Sequence, residues 1–145
     1  MTAQTLFSIC NSLALGGWLL LVVRPGWKWT RRVVGSGLVS LLLAGVYLVL
    51  IATTFGRAEG GFGSLAEVSL LFRNEWVLLA GWVHYLAFDL FIGSWEVSDA
   101  RRLKVSHLLV IPCLILTFML GPIGLLAYHL VSLKARLQAG RQEEQ

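Results

Sequence analysis

The chain has 145 residues, 57% of them hydrophobic and 14% charged, with a mean hydropathy of +0.74. A soluble domain carries about a quarter charged residues, and a chain this short cannot hide so much apolar surface from water, so the composition excludes a water-soluble domain and points to lipid as the solvent. The net charge of +4 sits in short basic clusters between apolar runs, which suits loops at an anionic membrane surface and argues against a nucleic-acid footprint.

The first apolar run, Leu6 to Val23, ends at Arg24-Pro25-Gly26. No basic residue precedes it and no small-x-small site follows, so it reads as a retained span rather than a signal peptide. The second run is Val33 to Thr54, the third Trp76 to about Val97, and the fourth His107 to Val131, interrupted by Pro112 and Gly121-Pro122. Each approaches the ~20 residues that a bilayer core requires. The fold class expected is therefore all-α, an integral membrane bundle of four transmembrane helices. It forms a single domain over residues 1–137, with a polar, frayed tail over 138–145. Trp18, Trp27, Trp29, Trp76 and Trp95 lie near the run ends, as interfacial aromatics do.

The second loop, Phe55 to Glu75, contains Ser64-Leu65-Ala66-Glu67, a capping-box pattern, followed by Leu65, Val68 and Phe72 on one helical face. A short interfacial helix between helices two and three is expected, with a plain linker as the alternative. Orientation follows the basic residues of the loops. Arg24, Lys28, Arg31 and Arg32 in the first loop, and Arg101, Arg102 and Lys104 in the third, favour these loops inside and both termini outside. Lys134, Arg136 and Arg141 in the tail run against that assignment. Cys10 and Cys113 fall at opposite depths, too far apart to bridge, and are expected as buried free thiols.

His84 and Asp89 lie near the middle of the third span. Ionisable residues there are costly unless they face protein, water or a partner, which makes a functional role the default; a polar contact between helices is the alternative. At about 100° per residue, Tyr85, Asp89 and Glu96 share one stripe that Trp82 extends, while His84 is rotated about 140° from Asp89. An antiparallel fourth helix brings Gly121-Pro122 to the same level, where broken backbone either lines a polar pocket or marks a simple kink. His84, His107 and His129 are too few for a di-iron centre and unequal in depth for a bis-histidine haem, so no metal and no cofactor is expected. The Gly61-x-Gly63-x-x-Ala66 string follows a membrane helix rather than a strand and is not a dinucleotide loop.

The string Phe72-Arg73-Asn74-Glu75-Trp76, then Gly81-Trp82-Val83-His84-Tyr85-Leu86-Ala87-Phe88-Asp89-Leu90-Phe91-Ile92-Gly93-Ser94-Trp95-Glu96, resembles the neoxanthin-synthase-like family, which comprises the plant abscisic-acid-deficient membrane protein and its bacterial relatives. His107 to Leu114, Leu116 to Met119 and Gly121-Pro122-Ile123-Gly124-Leu125-Leu126 extend the likeness, which covers roughly residues 70 to 130. The resemblance implies xanthophyll metabolism, in which plant members turn an epoxide end group into an allene. That isomerisation needs an acid at oxygen and a base at carbon, for which Asp89 and His84 are the catalytic candidates. Trp82, Tyr85, Glu96, Gly121 and Pro122 are the substrate-binding candidates. A non-catalytic carotenoid- or lipid-binding protein and a small proton-coupled transporter are the rival readings. Membrane lipids and a carotenoid or other isoprenoid are the partners expected, with a homo-oligomer left open and nucleic acid not among them. With no plastid transit peptide ahead of the first helix, the chain looks like a prokaryotic or a trimmed member, and a bacterial inner membrane is the expected location.

Overall fold

The computed structural model describes residues 2–54 and 56–143, with side chains up to residue 138; Phe55 and the end of the expected polar tail lie outside the described residues. All regular structure among the described residues is helical: α1 (Ala3–Val23), a π-helical turn (Thr30–Val34), α2 (Leu38–Thr54), α3 (Leu65–Leu71), α4 (Glu75–Arg102), α5 (His107–Leu120) and α6 (Pro122–Glu143). Lipid offers no hydrogen bonds to an open backbone, so apolar runs of this length satisfy their amides internally as helices. Three helical segments, Ala3–Val23, Thr30–Thr54 and Glu75–Arg102, are long and apolar enough to cross a membrane.

The chain divides into two compact units, one of residues 1–15 and 39–88, the other of residues 16–38 and 89–145. In the first unit Ser64 caps α3 by accepting from the Glu67 amide at 3.2 Å, and the Glu67 carboxylate reaches back to the Gly63 amide at 3.0 Å. The capping-box reading of the second loop is thus realised as a helix. Asn74 caps α4, its Oδ1 accepting from the amides of Trp76 and Val77. The Trp82 indole donates to Asn11 Oδ1 at 3.0 Å, tying α4 to α1.

In the second unit α4 ends in a Schellman arrangement. The Val105 amide returns to the Ala100 carbonyl at 2.8 Å and the Lys104 amide to Arg101 at 3.2 Å. Lys104 takes the left-handed φ of 56° that this cap requires. Arg101 and Arg102 in the last turn suit the negative end of the helix dipole. The His107 ring meets the Val22 carbonyl at 3.0 Å, joining the start of α5 to the end of α1. Cys10 and Cys113 are buried free thiols, as expected.

The fourth apolar run departs from the expected span. It is two helices, and the second turns back along the first. α5 brings Thr117 to Glu96 and Gly121 to Asp89. A crossing that continued would carry Tyr128 further toward the start of α4, yet Tyr128 bonds Asp99. Asp99 lies ten positions from Asp89 in the opposite sense, about 15 Å along α4. Gly121 makes the reversal with φ 49° and ψ −99°, a conformation essentially reserved for glycine. Pro122, with its fixed φ and missing amide, opens α6 as proline favours at a first helical position. Gly124 lies so close to the Thr117 backbone that any side-chain carbon would overlap it. The expectation of four crossing helices is corrected to three apolar spans and a helical hairpin. The 14 residues of α5 extend only about 21 Å, short of the roughly 30 Å hydrocarbon core.

Candidate functional site

The side chains singled out in the third span separate into two neighbourhoods. In the first unit His84 lies between Tyr47 of α2, at a ring separation of 5.3 Å, and Phe88, at 4.7 Å, and it is exposed. Trp82 packs on Phe7 and Tyr85, and is 42% exposed. In the second unit Asp89, Glu96 and Asp99 run down α4 towards the α5–α6 hairpin.

Each of these three carboxylates has a distinct setting. A Cβ placed on Gly121 would stand 3.1 Å from Asp89 Oδ1 and 3.2 Å from Oδ2, so the Asp89 carboxylate lies against the turn that starts α6. Gly121 closes α5 as well as preceding α6, so the negative end of one helix dipole and the positive end of the next meet there. Glu96 is fully buried. Its Oε1 accepts from the Thr117 hydroxyl at 2.9 Å, while Oε2 is buried with no hydrogen-bond partner among the described residues. Asp99 is the hub of an ionic cluster: Oδ1 accepts from Arg102 at 2.8 Å, and Oδ2 from the Tyr128 hydroxyl at 2.8 Å and from Arg136. The Arg136 Nε also donates to Ser132 Oγ at 3.0 Å, and its guanidinium lies over the rings of Trp95 and Tyr128. His129 stacks on Trp95 with ring centroids 5.7 Å apart.

Glu96 and Gly121, expected as substrate-binding residues, thus join Asp89 on the hairpin side of α4. Pro122 beside them is exposed. Sequence reasoning missed Asp99, Thr117, Tyr128, Ser132 and Arg136. Tyr128, Ser132 and Arg136 recur at four-residue spacing on one face of α6, a legible stripe. Asp99, however, lies past Val97, where the apolar run ends, and so reads as a loop charge.

Comparison with known proteins supplies the relationship. The family model described as ABA DEFICIENT 4-like matches residues 5–128. The chain belongs to the ABA DEFICIENT 4-like family. The chloroplastic Protein ABA DEFICIENT 4 of Arabidopsis thaliana is 25% identical over 112 residues, covering 72% of this chain and 51% of the relative. This ABA DEFICIENT 4-like chain therefore spans about half the length of the curated relative it matches. No solved structure matches it. Asp89, Glu96, Asp99, Thr117 and Tyr128 all fall inside the family match, whereas Ser132 and Arg136 lie beyond it. The apolar spans support the integral-membrane part of the expected location.

Proposed function

We propose that this ABA DEFICIENT 4-like protein is a membrane-embedded isomerase of carotenoid metabolism that converts an epoxide end group into an allenic alcohol by proton transfer. The observation that carries this reading is the pair Asp89 and Glu96, seven residues apart on one face of α4 and both directed at the hairpin. The reaction moves one proton on and one proton off. The epoxide C–O bond next to the polyene opens, and its oxygen stays on the ring and takes a proton. The adjacent vinylic carbon loses its hydrogen, and that bonding pair becomes the second cumulated double bond. Mass is unchanged and no electrons are exchanged with a second reactant.

Glu96 suits the acid, because Thr117 occupies one carboxyl oxygen and leaves Oε2 to exchange a proton. Asp89 suits the base, its carboxylate lying against the Gly121 turn on the face of α4 that Glu96 shares. The assignment expected from sequence, with Asp89 as the acid and His84 as the base, is the alternative; His84 packs on Tyr47 and Phe88. A long apolar substrate reaches such a site laterally from lipid, with the polyene left in the bilayer. Expression in a bacterium engineered to make epoxy-carotenoids, followed by pigment chromatography, is the test. A new isomer of unchanged mass supports the reading. Pigment retained without conversion favours a binding protein, and neither result with any epoxide supplied sinks the carotenoid assignment.

A further inference from the structure

The π-helical turn after the first span and the last turns of α4 enclose a cleft of about 130 Å³ in the second unit, lined among others by Pro25, Thr30, Arg31, Ser94, Ser98 and Arg101. Two of its walls are guanidinium-bearing. Arg31 and Arg101 both line this one cleft, and neither has a carboxylate partner among the described residues. The Asp99 carboxylate nearby is taken by Arg102 and Arg136. The hydroxyls divide in the same way. Thr30 donates to the Arg24 carbonyl at 2.8 Å and Ser94 to the Val34 carbonyl at 3.2 Å, whereas the Ser98 side chain is exposed at the cleft. Like charges held together at one cavity are unfavourable in the empty protein and become favourable when an anion lies between them.

We propose that this cleft binds a phosphate group, gripped between Arg31 and Arg101 with the Ser98 hydroxyl as a third donor. Guanidinium is the cation whose planar fork matches phosphate oxygens two at a time. The loop that carries Arg31 also carries Trp27 and Trp29, 45% and 46% exposed, and exposed tryptophans settle at headgroup level. A phosphodiester of an anionic lipid and a free phosphate share the chemistry that this cleft recognises. The site is separate from Asp89 and Glu96 and does not depend on the proposed isomerase activity.

The test uses the full chain in detergent micelles, supplied with phosphatidylcholine alone, with added phosphatidylglycerol, or with inorganic phosphate. Native mass spectrometry reads lipid retention and thermal unfolding reads stabilisation. Retention of phosphatidylglycerol above phosphatidylcholine, weakened about fivefold or more by R31Q or by R101Q, supports a lipid phosphodiester in the cleft. Stabilisation by inorganic phosphate without anionic lipid, lost in the same variants, supports a free phosphate there. R101Q in detergent without added lipid or phosphate should unfold no earlier than the parent, because the variant removes a repulsion; a purely structural arginine would lower that temperature. R57Q, outside the cleft, should change nothing. Equal retention by the parent and by the R31Q/R101Q double variant, or no response to either phosphate source, overturns the proposal.

Discussion

The Tyr128 hydroxyl donates to Asp99 Oδ2 at 2.8 Å, and this bond reports the direction in which the last helix runs. Tyr128 reaches Asp99 only if the chain has turned at Gly121 and come back along α4. Arg136, two turns further on, lands on the same carboxylate. The basic residues of the first loop, the third loop and α6 then belong to one unit, and the tail charges no longer oppose the positive-inside assignment.

The first prediction follows from that direction. Single cysteines placed at Lys28, Lys104 and Lys134, in a protein with Cys10 and Cys113 replaced by alanine, should be labelled by an impermeant maleimide from one side of the membrane. A cysteine at Gly61 should be labelled from the other. Four crossing helices would instead place Lys134 with Gly61, and that pattern would discard the hairpin.

Tyr128→Phe removes one hydrogen bond to a charged acceptor and keeps the ring against Trp95. It should cost about 1–2 kcal/mol in reversible unfolding from mixed micelles. Arg136→Ala should cost more, because Asp99 is 5% exposed at its side chain and keeps only Arg102, which is 71% exposed, as its cation. A double-mutant cycle between Tyr128→Phe and Arg136→Ala should be non-additive, since both act on Oδ2. Additive losses would mean that the shared oxygen is not the point of coupling.

Gly121→Ala combines an unfavourable backbone with a contact. At φ 49° and ψ −99° an L side chain costs about 1–3 kcal/mol, and its Cβ presses on the Asp89 carboxylate. Adding Asp89→Ala should recover the contact and leave the backbone strain. Gly121→Ala as stable as the parent would show that the turn relaxes without this conformation.

On activity, Glu96→Gln and Asp89→Asn are close in shape to the parent residues and should each reduce isomer formation by about 10²–10⁴-fold, with folding retained. His84→Phe should keep the packing on Tyr47 and Phe88 and leave conversion close to that of the parent. Conversion lost in His84→Phe but retained in Glu96→Gln would return the base to His84 and dismiss the carboxylate pair.

Hydropathy and spacing make much of this protein legible from its residues alone. The three spans, the buried cysteines, the α3 cap and the alignment of Asp89 with Glu96 all follow from local rules acting on adjacent residues. The hairpin was half visible: Gly121-Pro122 announced broken backbone at depth, but a kink and a reversal have the same local signature. What separates them is tertiary. Gly124 must meet the Thr117 backbone, and Tyr128 must find Asp99, which lies just past the apolar run.

A hairpin that enters and leaves by one face also bears on how the protein is made. A fourth crossing would carry Lys134 and Arg136 through the hydrocarbon, at roughly 2.5–3.5 kcal/mol for each charge at the centre of the bilayer. With the reversal at Gly121, those charges stay on the face where the third loop already lies. The insertion machinery then has only three passages to complete, and α5 and α6 can settle against α4 afterwards, as a late folding step rather than a translocation event.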